Sequence, residues 1–275
     1  MLNILRHGPN KAMVRWMVWV TWPIIIAAKR LSAVPGLRAV INPFFAYPWN
    51  EVTAVPIGYQ IDAPENVVLP RRVVERLVES VADIFILDEC ICRRQTGCSE
   101  YPKEIGCMAL GSAISRLHPS QGRRATQDEA ISHVRRAASA GLIANVAHTW
   151  IDPLAFGLAP FNRLMFICFC DDCCCLYRTH MQRRGQNLNR AYQGLPGISV
   201  VVDPEKCTGC GICVERCFAA EMTMENGAAS PGPDCKGCGR CVEVCPAGAI
   251  RLEIDDEETL FNRLVARIEA VADIW

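Results

Sequence analysis

The sequence predicts an α+β protein, in which a mixed, largely helical and cysteine-rich domain precedes a small repeated module. Two observations predict this class. The segment DPEKCTGCGICVERCFAAEMTME recurs 28 residues later as PGPDCKGCGRCVEVCPAGAIRLE, which indicates two similar halves with pseudo-two-fold symmetry. Upstream of this repeat, apolar residues recur at the helical spacing of three and four positions.

Composition divides the 275 residues into four sections. Residues 1–50 are apolar and basic and contain neither Asp nor Glu. Residues 51–190 form the cysteine-rich domain, and residues 197–255 form the repeated module. Residues 256–275 read as one amphipathic helix. Its apolar face is formed by Phe261, Leu264, Val265, Ile268, Val271 and Trp275. The net charge of zero does not point to a nucleic-acid partner.

The N-terminal section contains an uncharged run of 13 residues, from Trp16 to Ala28. A membrane-spanning helix needs about 20 apolar residues, so this run is too short, and it contains Pro23. The basic pair Lys29 and Arg30 directly after the run argues against a signal peptide. The tryptophans recur every third residue between basic flanks, which favours docking on a membrane surface or a membrane subunit. A core-facing aromatic stripe is the alternative.

The cysteine-rich domain begins with a predicted helix after Pro70. Its stripe is formed by Val73, Val74, Leu77, Val78 and Val81. The segment 84–87, IFIL, predicts a short buried strand. Thr126 and Glu129 form a capping box that begins another helix, and Gly141 ends it.

The repeated module carries the pattern C-x2-C-x2-C-x3-C twice. Soft thiolates at this spacing hold iron–sulfur clusters, and the fourth cysteine of each run ligates the cluster of the other run. The first predicted [4Fe–4S] site therefore consists of Cys207, Cys210, Cys213 and Cys245. The second consists of Cys235, Cys238, Cys241 and Cys217. We expect the segments 198–203 and 249–254 to pair as strands.

These motifs strongly resemble the bacterial two-cluster ferredoxin family, over about 60 of the 275 residues. The resemblance implies a ferredoxin-like fold, two [4Fe–4S] clusters and electron transfer. The family has a proline after each fourth cysteine. Pro246 keeps it, whereas Phe218 replaces it in the first half, which we expect to cost backbone rigidity but no ligand.

The other nine cysteines form two groups. They are Cys90, Cys92, Cys98 and Cys107, then Cys168, Cys170, Cys173, Cys174 and Cys175. Such clustering and an odd total of seventeen indicate metal ligation in a reducing compartment rather than disulfides. One or two further iron–sulfur clusters are the favoured interpretation, on one shared site or two separate ones. Zinc, or buried structural thiols, are the alternatives. Arg93 and Arg94 would offset anionic charge.

A second resemblance covers most of residues 67–250. The strings DECICRRQTGCSEYPKEIGCMALGSA, AGLIANVAHT and ICFCDDCCC are similar to little-characterised iron–sulfur proteins of anaerobic bacteria and archaea. It implies an electron-transfer or reductive role without a defined substrate. His148 and His180 are candidates for cluster ligands or proton donors, against the simpler role of satisfied or solvated histidines. Asp171 and Asp172 are expected in a turn or in a proton relay.

The sequence thus predicts a multi-cluster electron carrier that is a subunit of a redox complex, with redox proteins as partners. We expect a cytoplasmic location, with a peripheral position on the inner face of the membrane as an extension. One alternative is a reductase whose cluster has an open coordination position for a disulfide or small molecule. Another is a zinc-stabilised adaptor with a ferredoxin tail. No catalytic residue is identified from sequence.

Overall fold

The computed structural model describes residues 7–45, 47, 49–58, 70–178 and 192–275. The α-helices of these ranges are α1 Lys11–Leu31, α2 Pro35–Ile41, α3 Pro70–Ser80, α4 Ile91–Thr96, α5 Gln127–Ser139, α6 Ile151–Phe156, α7 Ile212–Glu215, α8 Arg240–Glu243 and α9 Glu257–Glu269. Short 3-10 helices span Asn42–Phe45, Ser112–Arg116, Pro119–Gln121 and Phe161–Arg163. The strands are β1 Asn50–Val55, β2 Ile84–Leu87, β3 Met108–Leu110, β4 Gly122–Arg124, β5 Ile143–Thr149, β6 Met165–Cys170, β7 Tyr192–Gly194, β8 Ile198–Val202, β9 Met222–Glu225, β10 Ala228–Pro231 and β11 Ile250–Ile254.

The cysteine-rich domain is built on a seven-stranded sheet in the order β4-β2-β3-β6-β5-β1-β7. All neighbours are antiparallel except β1 and β7, which run parallel. The predicted mixture of helices and strands is confirmed, and the expectation of a largely helical domain did not include a sheet of this size. Strands such as β5 are buried along their whole length, so they lack the polar alternation that separates a strand from a buried helix in sequence.

Three helices cover one face of this sheet. Helices α3 and α5 pack against each other, and α9 packs on α3. Their core residues include Leu77, Val134 and Leu264. The predicted helix after Pro70, the strand 84–87 and the capping box of Thr126 and Glu129 are confirmed.

The opposite face is covered by α1 and α6. Val14 of α1 and Phe156 of α6 join Phe85, Leu87 and Phe166 in a second core. Because side chains alternate along a strand, Ile84 and Ile86 point to the three-helix face while Phe85 and Leu87 point to α1.

The predicted pairing in the repeated module is confirmed, because β8 and β11 pair antiparallel with Ile198 opposite Ile254. Strands β9 and β10 form a second antiparallel pair. The last predicted helix is also present as α9, but it ends at Glu269. Trp275 lies beyond it and is 43% exposed, so its predicted place on the buried face was wrong.

Helix α1 is longer than the uncharged run, because Lys11–Arg15 and Lys29–Leu31 continue it at both ends. By length and composition alone, its 21 residues are enough to cross a membrane, and the expectation that this segment is too short was therefore wrong. Trp16 and Trp19 are 63% and 66% exposed. For these two tryptophans the alternative of a core stripe is wrong as well.

Candidate metal centres

The loops of the repeated module are shaped by glycines in the left-handed region. Gly209 and Gly237 have φ of 70° and 61°, and Gly211 and Gly239 have φ of 74° and 78°. A side chain at such angles is strained, so glycine is required at these turns. The turns at Gly209 and Gly211 lead into α7, and those at Gly237 and Gly239 lead into α8. The two helices lie 28 residues apart in sequence.

The eight thiols of the module assemble in two groups of four. Burial raises the pKa of Cys213, and the neighbouring thiols that raise it further are Cys210, Cys245 and Cys207. Burial also raises the pKa of Cys238 well above its usual range, and its thiol neighbours are Cys217, Cys241 and Cys235. The neighbours of each of these two thiols include one thiol from the other half of the repeat, which the predicted ligand sets require.

Backbone amides point at the two crossing thiols. The N–H of Glu221 donates to Sγ of Cys217 at 3.3 Å, and the N–H of Ala249 donates to Sγ of Cys245 at 3.4 Å. The two donors are again 28 residues apart. Hydrogen bonds to ligand sulfur are a means by which proteins tune iron–sulfur sites. The donor set and its amide support therefore fit two four-iron clusters.

Comparison with known proteins agrees with this geometry. Residues 199–246 match the family model described as a 4Fe-4S dicluster domain. The C-terminal module is a ferredoxin module. Ferredoxin-2 of Desulfomicrobium norvegicum is 49% identical over 35 residues, which are 13% of this chain. The chain spans 59% of the length of that relative, and the match lies within the ferredoxin module.

Six of the other nine cysteines line one cavity of about 550 Å³ between the sheet and α1. They are Cys90, Cys92, Cys107, Cys168, Cys170 and Cys175. Cys168 and Cys170 lie on β6, where the period of two directs both thiols to the α1 face. Cys90 precedes α4 and Cys92 lies in its first turn. The two C-x-C pairs, a spacing that is unusual for clusters, therefore lie on a strand and at the start of a helix.

The cavity thiols neighbour one another in three pairs. They are Cys90 with Cys92, Cys107 with Cys168, and Cys170 with Cys175. The Cys92 thiol and the Arg93 cation lower the pKa of Cys90 against the effect of burial. Burial and then the Cys175 thiol raise the pKa of Cys170 well above its usual range. Cys90 is therefore easier to ionise than Cys170.

Two buried cations flank the cavity. Arg93 is 0% exposed and donates to the carbonyl oxygens of Phe169 and Ile105 and to Asp171. Lys29 lines the cavity from α1, is 1% exposed, and donates to the Leu176 carbonyl oxygen at 3.1 Å. From the sequence we proposed Arg93 as a residue that offsets anionic charge, but we did not propose Lys29 for this role. In the sequence, Lys29 is marked only by its position directly after an apolar run. Arg94, also proposed, pairs instead with Glu89.

The remaining three cysteines lie together elsewhere. The Sγ atoms of Cys98, Cys173 and Cys174 are all within 4.8 Å of one another. The nine cysteines therefore divide into six and three, and each set draws on both sequence groups. From the sequence we expected either one shared site or one site for each sequence group. The structure instead has two sets, and each set contains cysteines from both sequence groups.

The two aspartates between these thiols are buried. Asp171 accepts from the N–H groups of Cys173 and Cys174 and pairs with Arg93. Asp172 pairs with Arg216 and Arg240 and accepts from the Tyr101 hydroxyl. The expected turn is present at residues 172–174. Asp172 forms ion pairs that join the cysteine-rich domain to the ferredoxin module.

The proposed histidines lie away from these centres or outside the described residues. The Nδ1 atom of His148 is paired with the Leu164 carbonyl oxygen at 2.9 Å, and its ring stacks on Phe161. Burial lowers the pKa of His148. His148 thus has the packing role that the simpler interpretation assigned to it. His180 falls in the range 179–191, outside the described residues.

Aromatic rings connect the cavity with the ferredoxin module. Burial raises the pKa of Tyr192 well above its usual range, and the thiols that act on it include Cys170 and Cys175 of the cavity and Cys238 of the module. The Tyr192 ring lies 5.9 Å from that of Tyr177 and 5.7 Å from that of Phe218. Phe218, expected only to loosen the backbone, instead packs the module against the sheet.

Proposed function

We propose that this protein transfers electrons between two [4Fe–4S] clusters in the ferredoxin module and a further redox centre held in the six-thiol cavity. Tyr192 packs in one buried cluster with the cavity thiols Cys170 and Cys175 and the module thiol Cys238, and this contact carries the proposal. When bound, the clusters would supply one-electron chemistry at low potential. We further infer that the protein acts as a subunit of a redox complex, with redox proteins as donor and acceptor.

In the module, the ligands of one cluster would be Cys207, Cys210, Cys213 and Cys245, and those of the other Cys217, Cys235, Cys238 and Cys241. The equivalent amide donors at Glu221 and Ala249 support a pseudo-two-fold relation between the two sites. Cys213 also contributes to the raised pKa of Cys241, so the two quartets adjoin. Adjoining quartets suit electron exchange within the module.

In the cavity, six thiols exceed the four that a single cubane cluster requires. Lys29 and Arg93 would offset the negative charge of a thiolate-bound centre, and the apolar side chains of α1 would keep water from it. The tyrosine amide at 177 donates to Sγ of Cys175 at 3.3 Å, as the amides of the module do to theirs. The cavity thus has the ligands, the charge and the dryness that a further iron–sulfur centre needs.

The proposal is tested by counting iron, zinc and acid-labile sulfide in anaerobically purified wild type and in two matched variants. Cys235→Ser changes a module thiol and Cys92→Ser changes a cavity thiol. We expect more than the roughly eight irons that two cubes supply, and each variant should lose a different magnetic signal. If wild type contains about eight irons and Cys92→Ser contains the same number, the proposal of a cavity centre is wrong. If wild type contains no iron, the whole proposal is wrong.

The cavity itself favours one alternative function, a reductase. Its volume of about 550 Å³ lies within the range of small-molecule sites. In this function a small disulfide would bind beside the cavity centre and accept its electrons. Anaerobic reoxidation of dithionite-reduced protein by a dialkyl disulfide tests it. Rapid reoxidation in wild type but not in Cys92→Ser supports the reductase, and equal slow rates favour the carrier.

We also propose that the protein sits on the cytoplasmic face of a membrane that contains anionic lipids. Helix α1 exposes Trp16, Trp19 and Ile24, and the section 1–50 has basic but no acidic residues. In its packed position α1 lies along the domain, because Arg15 forms a two-point ion pair with Glu89 at 2.7 Å. A helix held this way would lie in the interface with its tryptophans in the headgroup region. A membrane-embedded protein subunit is the competing occupant of this face.

A further inference from the structure

The three-thiol group of Cys98, Cys173 and Cys174 differs from the other cysteine groups in its spacing. Among the described residues, it is the one set of three metal-ligating side chains whose ligand atoms all lie within 4.8 Å of one another. The quartets of the ferredoxin module and the six cavity thiols contain no such set within the ranges that the structure describes. This difference bears on what each group can bind.

Sulfur spacing distinguishes a single ion from a cluster. Around one tetrahedral Zn²⁺ with Zn–S bonds of about 2.3 Å, the ligand sulfurs are about 3.8 Å apart. A cube holds each thiolate on a different iron, so its ligand sulfurs are spread more widely. The 4.8 Å limit for all three thiols matches the single ion. Sγ of Cys173 and Cys174 are 2.9 Å apart and would move apart by about 0.9 Å to bind it. We propose that Cys98, Cys173 and Cys174 bind one soft divalent cation of the zinc type, separate from the iron–sulfur centres.

The backbone around the site is preorganised. Gly97 ends α4 with φ of 68°, a turn that returns the chain so that the N–H of Cys98 donates to the Arg93 carbonyl oxygen at 2.9 Å. Asp171 holds the other two ligands by accepting from the N–H groups of Cys173 and Cys174. Arg93 fixes that carboxylate with a contact of 3.1 Å inside the protein. The backbone therefore holds the three cysteines together before an ion binds.

The fourth coordination position faces the surface. Cys173 is exposed, whereas Cys98 and Cys174 are buried. A groove of about 690 Å³ beside the two adjacent cysteines is lined by Trp22, Pro23 and Arg30 of α1. Zinc sites with three protein ligands keep the fourth position for water or an exogenous ligand. The fourth coordination position of the ion would therefore open into the groove between α1 and the cysteine-rich domain.

The test uses full-length protein, purified anaerobically with its clusters in place, and Co²⁺ as the probe. Wild type should contain about one zinc per chain, and cobalt exchanged into the site should give sulfur-to-cobalt charge-transfer absorption. Cys98→Ser and Cys173→Ser should lose zinc and this absorption while iron and sulfide stay at the wild-type level. Cys92→Ser is the matched control and should keep the zinc.

Two results would overturn the assignment. One is a loss of iron and sulfide in Cys98→Ser that equals a whole cluster, since the three thiols would then belong to an iron–sulfur centre. The other is wild type that binds neither zinc nor cobalt, including the case of an intact mass lower by two hydrogens from a Cys173–Cys174 disulfide. The magnetic signals of the ferredoxin module report that each variant is folded. Because those signals do not depend on the zinc, failure of this inference and failure of the proposed electron transfer are distinguishable.

Discussion

Nε of Arg240 lies 2.9 Å from Oδ2 of the buried Asp172, and this ion pair joins the ferredoxin module to the cysteine-rich domain. Asp172 also receives Nε of Arg216 at 2.6 Å. Each partner is the chain neighbour of a cysteine: Asp172 precedes Cys173, and the two arginines precede Cys217 and Cys241. The contact therefore ties the second ferredoxin quartet to the three-thiol group.

Asp172→Asn should destabilise the protein strongly. Loss of the carboxylate leaves two neighbouring arginines with only the peripheral Glu100 and Glu243 as counter-charges. Breaking a buried ion pair in this way typically costs about 3–5 kcal/mol. The free energy of unfolding, measured anaerobically by denaturant titration, checks this. The control is Glu100→Gln, which removes an exposed partner of Arg216 and should cost less than about 1 kcal/mol. Equal small effects of both changes would show that the buried pair does not hold the two parts together.

Glu75 on α3 should contribute stability that depends on pH. Burial opposes its charge, but Arg135 and Arg72 prevail and lower its pKa. Since the folded pKa lies below the unfolded value of about 4.3, the contribution is complete above that pH and disappears as pH falls through the folded pKa. Glu75→Gln should cost about 1.5–3 kcal/mol at pH 7. The difference in unfolding free energy between wild type and variant should shrink below about pH 4. Glu79→Gln, at an exposed carboxylate, should show little cost at any pH.

Phe218→Pro restores the residue of the ferredoxin family, yet it should destabilise this protein. Phe218 is 1% exposed and its ring contacts Tyr192, so its removal opens a cavity between the module and the sheet. Loss of a buried phenylalanine costs about 3–5 kcal/mol when truncated to alanine. The free energies of unfolding of Phe218→Pro and Phe218→Ala should both be lower than that of wild type. Ile212→Ala, at an exposed position, is the control and should change the free energy of unfolding less. Stabilisation by Phe218→Pro would show that backbone rigidity outweighs the packing.

Lys29→Met should lower the reduction potential of the cavity centre. A buried cation favours the more negative, reduced form, so its removal makes reduction harder. We expect a shift on the order of 60 mV, which is a tenfold change for one electron. Potentiometric titration of the signal lost in Cys92→Ser measures it. Lys11→Met removes a surface partner of Asp88 and should leave the potential unchanged. A fall in the module potentials with no change in the cavity potential would contradict the assignment of Lys29.

Trp16→Ala and Trp19→Ala should weaken binding to vesicles of anionic phospholipid by about tenfold each, because each removes a large apolar side chain from the interface. Cosedimentation with vesicles is the measurement. Trp275→Ala removes an exposed tryptophan outside α1 and should bind like wild type. No vesicle binding by wild type would leave a protein subunit as the occupant of the α1 face.

The sequence predicts the ferredoxin module because a repeated motif of fixed spacing carries it. The motif assigns Cys245 to the first quartet and Cys217 to the second, and the 28-residue repeat predicts that β8 pairs with β11. The helix α3 and the capping box of α5 are predictable because a stripe or a cap involves residues within a few positions.

Only the tertiary structure decided how the other nine cysteines are grouped. Cys107 and Cys168 are 61 positions apart and meet because β3 and β6 are neighbours in the sheet. Cys98 leaves its own sequence group for Cys173 and Cys174 because Gly97 turns the chain away. Lys29 reaches the cavity because α1 packs across the sheet. Sequence spacing determines contacts within one loop, whereas contacts between distant strands and helices depend on which apolar faces pack together.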